Sequence, residues 1–217
     1  MYSCILFDFD GTVFDTVDGI IKSVRYALNK HDMDAPDELL RRFAGPPMEE
    51  MFMQTFDTTP EEAKQLRKDF QERYVPIGLY ESKPFDGIED MLSALKAGGK
   101  KLAITTLKPT FMAETLLKHS GLIRYFDLVC GVSPEATNFT KSELACIAME
   151  KLGASKEETV LVGDTKYDVC GAHGAHLKAV GVRYGFAPDG ELEEAGADYF
   201  VSSVAELKAF LLHSNSI

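Results

Sequence analysis

Six short apolar runs punctuate the chain, near Ser3–Phe7, Lys101–Thr106, Asp127–Cys130, Thr159–Val162, Ala179–Val182 and Tyr199–Val201. Each has the length of a strand, and their apolar continuity predicts burial on both faces, as in a parallel sheet. Between them the apolar residues recur at helical spacing: Ile88, Met91, Leu92 and Leu95; Met112, Leu116 and Leu117, with Gly121 as a stop; Leu144, Ile147, Ala148 and Leu152. Strand and helix in alternation predict an α/β fold, a doubly wound parallel sheet.

One segment breaks the alternation. From Thr16 to Tyr80 the patterns are helical only. Ile20, Ile21, Val24, Ala27 and Leu28 make one apolar face, and Leu39, Leu40 and Phe43 another. Gly45-Pro46-Pro47 interrupts sharply before Met48, Met51 and Phe52 resume the spacing. Thr59-Pro60-Glu61-Glu62 has the cap, the first-turn proline and the acidic residues of a helix start. A helical insert after the first strand predicts two domains, an α/β domain of residues 1–15 and 81–217 and an all-helical one of 16–80, with hinges at Asp15–Val17 and Tyr80–Pro84.

Composition narrows the class. At 217 residues the chain is long enough for a substantial core, and 45% hydrophobic content excludes a disordered polymer. The net charge of −11 argues against a nucleic-acid polymer as partner, since phosphate-contacting faces need clustered Lys and Arg. No run reaches the roughly 18 apolar residues of a membrane span. Met1–Phe7 lacks a basic start, and Asp8 and Asp10 end its apolar run early, so it does not read as a signal peptide. The four cysteines are spread without a CxxC pair. They read as mostly buried free thiols in a reducing cytoplasm, which is the expected location.

The chemistry gathers where strands end. Phe7-Asp8-Phe9-Asp10-Gly11-Thr12 closes the first apolar run with two carboxylates. Ligands of open α/β sheets bind at the carboxyl ends of strands. Two carboxylates there can hold a hard cation such as Mg²⁺, or divide nucleophilic and acid–base work. Gly11 would let the backbone approach a phosphate and offer it N–H groups. A later run, Val160 to Val162, ends in Gly163-Asp164-Thr165-Lys166-Tyr167-Asp168, a GDxxxD pattern whose two carboxylates can be aimed at one cation. Gly171-Ala172 then permits close helix–sheet packing. Four uncompensated carboxylates would repel strongly, so a cation is expected among them.

Asp-Phe-Asp-Gly-Thr-Val resembles the DxDGT(V/L) signature of the haloacid dehalogenase superfamily, and the other motifs follow in that superfamily's order. Thr105-Thr106-Leu107-Lys108-Pro109 resembles T-(N/S)-K-P, which aligns Thr106 as the motif threonine and leaves Leu107 as a departure that keeps only its backbone N–H. Lys141, at the start of the helix carrying Leu144 and Ile147, matches the motif lysine. Phe43-Ala44-Gly45-Pro46-Pro47-Met48 and the Asp189–Tyr199 ending resemble the phosphoglycolate phosphatase-like and nucleotidase-like branch.

The resemblance implies a phosphatase acting on a small phosphorylated metabolite. Asp8 would be its nucleophile and Asp10 its acid and base, with Thr106 and Lys141 balancing phosphoryl charge. Mg²⁺ would be held by Asp8, the Asp10 backbone carbonyl and Asp164, with Asp168 in direct or indirect contact. It also implies a helical cap that contributes to substrate binding through Arg41, Arg42 or Gly45, alongside Gly11, Thr12, Leu107 and Lys108. Phosphoglycolate and nucleoside monophosphates are the favoured substrates. A β-phosphoglucomutase-like mutase and a catalytically idle protein-binding module are the alternatives. The five histidines form no ligand-like cluster.

Overall fold

The strand edges that carry the motif residues sit side by side in a computed structural model, which describes residues 2–133 and 139–213. In chain order the first elements are β1 (Cys4–Phe7), β2 (Phe14–Asp15), α1 (Val17–Asn29), α2 (Asp37–Leu40), α3 (Met48–Phe56), α4 (Pro60–Tyr74) and β3 (Lys83–Pro84). The chain continues through α5 (Ile88–Ala97), β4 (Lys101–Pro109), α6 (Thr110–His119), β5 (Leu128–Val132), α7 (Lys141–Leu152) and β6 (Thr159–Gly163). It closes with α8 (Lys166–Gly174), β7 (Lys178–Val182), α9 (Glu191–Glu194), β8 (Tyr199–Val201) and α10 (Val204–His213). The described residues divide into two units, one of 1–14 with 84–217 and one of 15–83.

In the first unit six strands pair in parallel in the order β5-β4-β1-β6-β7-β8. The four residues of β1 are fully buried, as expected of a central strand that meets helices on both faces. From β1 the chain reaches β4 on one side and β6 on the other, so the sheet's topological switch falls at β1, where open α/β sheets form their ligand crevice. Register places the motif residues at one level: Phe7 lies beside Ile104 of β4 and Val162 of β6, so Asp8 follows β1 where β6 also ends, while β4 runs on past them to Pro109. One core cluster joins Leu6, Ala103 and Leu161 to Leu144, Ala148, Val169 and Ala172 of the covering helices.

Two details of this unit differ from the sequence expectation. Gly171 serves helix–helix and not helix–sheet packing: a Cβ there would stand 2.3 Å from the Lys141 Cβ, so it is α7 that approaches, while Ala172 takes the core position. Cys4 and Cys130 are buried, but Cys146 and Cys170 lie exposed on α7 and α8, because each falls on the outer side of its amphipathic helix.

The second unit is helical. α1 buries Val17, Ile20, Ile21, Val24, Ala27 and Leu28 on one face. Phe43, Phe52 and Phe56 form an aromatic cluster with centroids 4.9 to 6.4 Å apart. Thr59 and Glu62 close a reciprocal capping box at the start of α4, a motif that contributes about 1 kcal/mol. α4 is fastened to the end of α1 by the buried carboxylate of Asp69, which pairs with Lys30 and, at 2.8 Å, with His31. Among the described residues no helix is long and apolar enough to cross a membrane.

Candidate active site

Asp8 is the first residue beyond β1, and its N–H still donates to the Val162 carbonyl at 2.8 Å. That bond holds Asp8 in strand register and places its side chain at the switch point, 5% exposed. The chain then turns tightly, with Val13 and Phe14 both donating to the Phe9 carbonyl. Gly11 takes φ +80°, and a Cβ there would lie 2.1 Å from Asp164 Oδ2. Both the backbone angle and the contact require glycine, so its hydrogen makes room for the Asp164 carboxylate.

Asp164 and Asp168 come from the end of β6 and the first turn of α8. With Asp8 they form a buried group whose ligand oxygens all lie within 4.8 Å of one another. Asp168 divides its oxygens. Oδ2 caps α8 by accepting from the Thr165 N–H at 3.0 Å and hydroxyl at 2.8 Å, and Oδ1 accepts from Lys141 Nζ at 2.6 Å. Thus helix capping and site construction use the same side chain. Lys141 begins α7 after its own capping box of Thr140 and Glu143, and its ammonium contacts Asp8 as well as Asp168. Asp164 is held from both sides: Thr12 donates to Oδ1 at 3.2 Å and the Phe186 N–H to Oδ2 at 2.7 Å.

Electrostatics here are unbalanced. Three carboxylates face one ammonium, a net of −2 when all are ionised. Two like charges 4 Å apart cost about 4 kcal/mol even at an effective dielectric of 20. Burial, reinforced by Asp168, accordingly pushes the Asp8 carboxyl up to about 7 against the pull of Lys141. Burial and the charges of Asp168 and Asp8 hold Asp164 well above the usual carboxylate range. Burial alone would depress the Lys141 ammonium, but Asp168 and Asp8 outweigh it and raise it. An all-oxygen donor set with surplus negative charge fits a hard divalent cation such as Mg²⁺.

Asp10 stands apart from this group. Both its carboxylate oxygens accept from Lys108 Nζ, at 2.9 and 3.2 Å, and the Lys108 side chain is only 6% exposed. A bulge in β4 aims Lys108 there. Thr105 lies opposite Cys130 and Pro109 opposite Val132, so the strand gains residues against β5 over this span. Within the bulge the Lys108 N–H donates to Thr106 Oγ1 at 3.1 Å. Leu107 packs its side chain against the apolar core. Lys108 therefore holds Asp10 in this structure, where the sequence suggests a substrate contact.

Arg41 and Arg42 are exposed on a short turn of the helical unit, and Gly45 follows with φ +110° ahead of α3. Four further features carry no motif role: Thr105 precedes the motif threonine, and the other three follow β7. Thr105 has a buried hydroxyl with no partner among the described residues, and its carbonyl accepts from Lys141 at 3.5 Å. Tyr184 donates to the Thr12 carbonyl at 3.0 Å. Gly185 leaves room for Asp164, whose Cβ would stand 2.2 Å from a side chain there. Phe186 supplies the N–H already described. A Tyr-Gly pair one residue beyond the apolar run of β7 was the available signal, but composition alone gives it no chemistry.

A parallel sheet that converges paired carboxylates and a buried lysine at its switch point defines a hydrolase of the phosphatase class. The chain belongs to the haloacid dehalogenase-like hydrolase family, whose sequence profile matches residues 5–182. It is 34% identical over 211 residues to a 5'-nucleotidase of Pseudomonas aeruginosa, covering 97% of this chain and 96% of that one. A structure described as a predicted phosphatase from Clostridium acetobutylicum superimposes with a TM-score of 0.94 at 39% identity, covering 99% of this chain and all of the other. The tyrosine-protein kinase PtkA of Mycobacterium tuberculosis is 34% identical over 188 residues, which span 84% of this chain and 63% of that protein.

Proposed function

We propose that the chain hydrolyses small phosphomonoesters, with phosphoglycolate and nucleoside monophosphates as favoured substrates, through an aspartyl-phosphate on Asp8. The observation that carries this reading is the placement of Asp8: a buried carboxylate at the central strand's end, touching Lys141 and grouped with Asp164 and Asp168. The name of the P. aeruginosa relative supports nucleotides.

In the first half-reaction an Asp8 oxygen forms a bond to phosphorus while the ester P–O bond breaks, and protonated Asp10 gives its proton to the leaving oxygen. In the second, Asp10, ionised by the first step, takes a proton from water. The water oxygen then bonds to phosphorus, the Asp8–phosphorus linkage breaks, and phosphate leaves. Lys141 and the Thr106 hydroxyl stabilise charge on the phosphoryl oxygens. The carboxylates of Asp8, Asp164 and Asp168, with the Asp10 backbone carbonyl, would hold Mg²⁺. Bound there, the ion would supply charge neutralisation at the phosphoryl group. Gly11, Thr12 and Leu107 contribute backbone contacts to the phosphoryl group, and Arg41, Arg42 and Gly45 are the helical unit's candidates for choosing the leaving group.

Purified protein with Mg²⁺ should release phosphate from one of phosphoglycolate, nucleoside monophosphates, sugar phosphates or pyrophosphate well above the rest. Following sugar-phosphate isomers in the same reactions separates hydrolysis from mutase activity. Asp8→Asn, with an unchanged circular dichroism spectrum, should lose at least about a thousandfold in kcat. Wild-type turnover in that variant sinks the nucleophile assignment.

A further inference from the structure

The loop after β7 is built against Asp164 at three consecutive residues. Phe186 gives its N–H to Asp164 Oδ2 at 2.7 Å. Gly185 has no side chain where one would overlap Asp164. Tyr184 reaches the same carboxylate indirectly: its hydroxyl donates to the Thr12 carbonyl at 3.0 Å, and the Thr12 hydroxyl donates to Asp164 Oδ1 at 3.2 Å. Gly11, next to Thr12, closes the far side, so Asp164 lies between two glycines and two hydrogen-bond donors. The Tyr184 ring is itself fixed by an edge-on contact with Phe85, centroids 5.0 Å apart at 67°.

We infer that Tyr184 is a positioning residue for the cation site: its hydroxyl fixes the Gly11–Thr12 turn, and through the Thr12 hydroxyl sets the orientation of Asp164. This rests on the reading of Asp164 as a cation ligand. A carboxylate free to rotate must be ordered when the ion arrives, whereas one held by outer partners is already aimed. The ring's contact with Phe85 accounts for packing but not for a hydroxyl directed at a main-chain oxygen of the loop that carries the nucleophile. Burial and the Asp164 charge push the Tyr184 phenol up, so it remains a neutral donor.

Tyr184→Phe removes the hydroxyl and keeps the ring. Calorimetric titration of metal-free protein with MgCl₂ should show a dissociation constant raised about 3- to 10-fold, below the 10- to 100-fold typical of partners that bond a metal ligand directly. At saturating Mg²⁺, kcat should fall while substrate KM stays within about twofold, and the melting temperature should change little. Thr12→Val should weaken Mg²⁺ binding more. Combining the two should cost less than the product of the single effects, since both act through the Asp164 carboxylate. If Tyr184→Phe folds poorly, Tyr184→Leu, which is smaller and has no donor, takes its place in the cycle. If wild type binds Mg²⁺ and Tyr184→Phe binds it equally, or the effects simply multiply, the inference is overturned and the cation reading stands. If wild type binds no Mg²⁺, both fall together.

Discussion

At the scale of single residues, the pair of Asp10 and Lys108 gives the sharpest test of how protons move. Both Asp10 oxygens are held by one nearly buried ammonium, so Lys108→Met removes the charge while keeping the length of the side chain. An Asp10 that has lost its anchor should hand a proton to the leaving oxygen less well, and the loss should grow with the leaving group's need for one. For Lys108→Met we expect kcat on an alkyl phosphate to drop about 10- to 100-fold, and on p-nitrophenyl phosphate several-fold less, since that leaving group departs as the anion. Equal losses on both substrates would assign Lys108 to phosphate binding alone. Asp8, Asp164, Asp168 and Lys141 could all be picked out of the sequence because each sits at a recognisable punctuation mark, the end of an apolar run or the start of an amphipathic helix. Lys108 could be found but not understood: its direction depends on a bulge, and a bulge leaves no mark in hydrophobic periodicity. Tyr184 and Thr105 meet the site through main-chain carbonyls, that of Thr12 and that of Thr105 itself, which no motif advertises.

Among the elements, five strands of the six-stranded sheet lie within two residues of their predicted runs, because parallel strands buried on both faces are continuous in hydrophobicity, and β4 alone runs three residues further, through its bulge to Pro109. The strands that escaped, β2 and β3, have two residues each and carry no period at all. Helix starts were legible where chemistry marks them, as at Thr59-Pro60 and Thr140-Lys141. The junction between α1 and α4 was not, since Lys30, His31 and Asp69 are far apart in sequence. Burial opposes the charge on Asp69, yet hydrogen bonds from Lys30, His31 and Gln65 prevail and lower its pKa below the ordinary carboxylate value. A depressed carboxylate contributes stability that is present above the unfolded-state value of about 3.9 and is lost as pH falls through the folded-state value. Asp69→Asn should therefore destabilise the protein by about 1–3 kcal/mol at pH 7, measured by urea unfolding, and by progressively less as pH falls below about 4. A pH-independent difference would mean that Asp69 acts by packing alone.

For the whole molecule, the net charge of −11 takes on a local meaning, because the buried carboxylates of Asp8, Asp164 and Asp168 are part of it and, among the described residues, Lys141 is the ammonium paired with them. All four belong to the unit of residues 1–14 and 84–217. Metal-free protein thus holds a store of unfavourable charge in one unit only. With its folded value raised to about 7, Asp8 keeps a proton that the unfolded chain releases near 4. That contribution is complete below about pH 4 and is lost as pH rises through 7, so the metal-free α/β unit should weaken across this window. Mg²⁺ should reverse the trend. At a concentration a hundred times its dissociation constant it should add about 2.7 kcal/mol. Binding should release protons around neutral pH, because burial and neighbouring charge raise Asp8 and Asp164, and should be weaker at pH 5.5 than at pH 8 because the ion must then displace those protons. Thermal scans of chelator-treated protein, with and without MgCl₂ at both pH values, measure the first effect, and calorimetry in buffers of different ionisation enthalpy measures the proton release. Hydrogen exchange locates it: added protection should concentrate at β1, β6 and the first turns of α7 and α8, and the amides of α1 and α4 should exchange as before. Mg²⁺ stabilisation that is larger at pH 5.5 than at pH 8 would remove the carboxylate group as the ion's site.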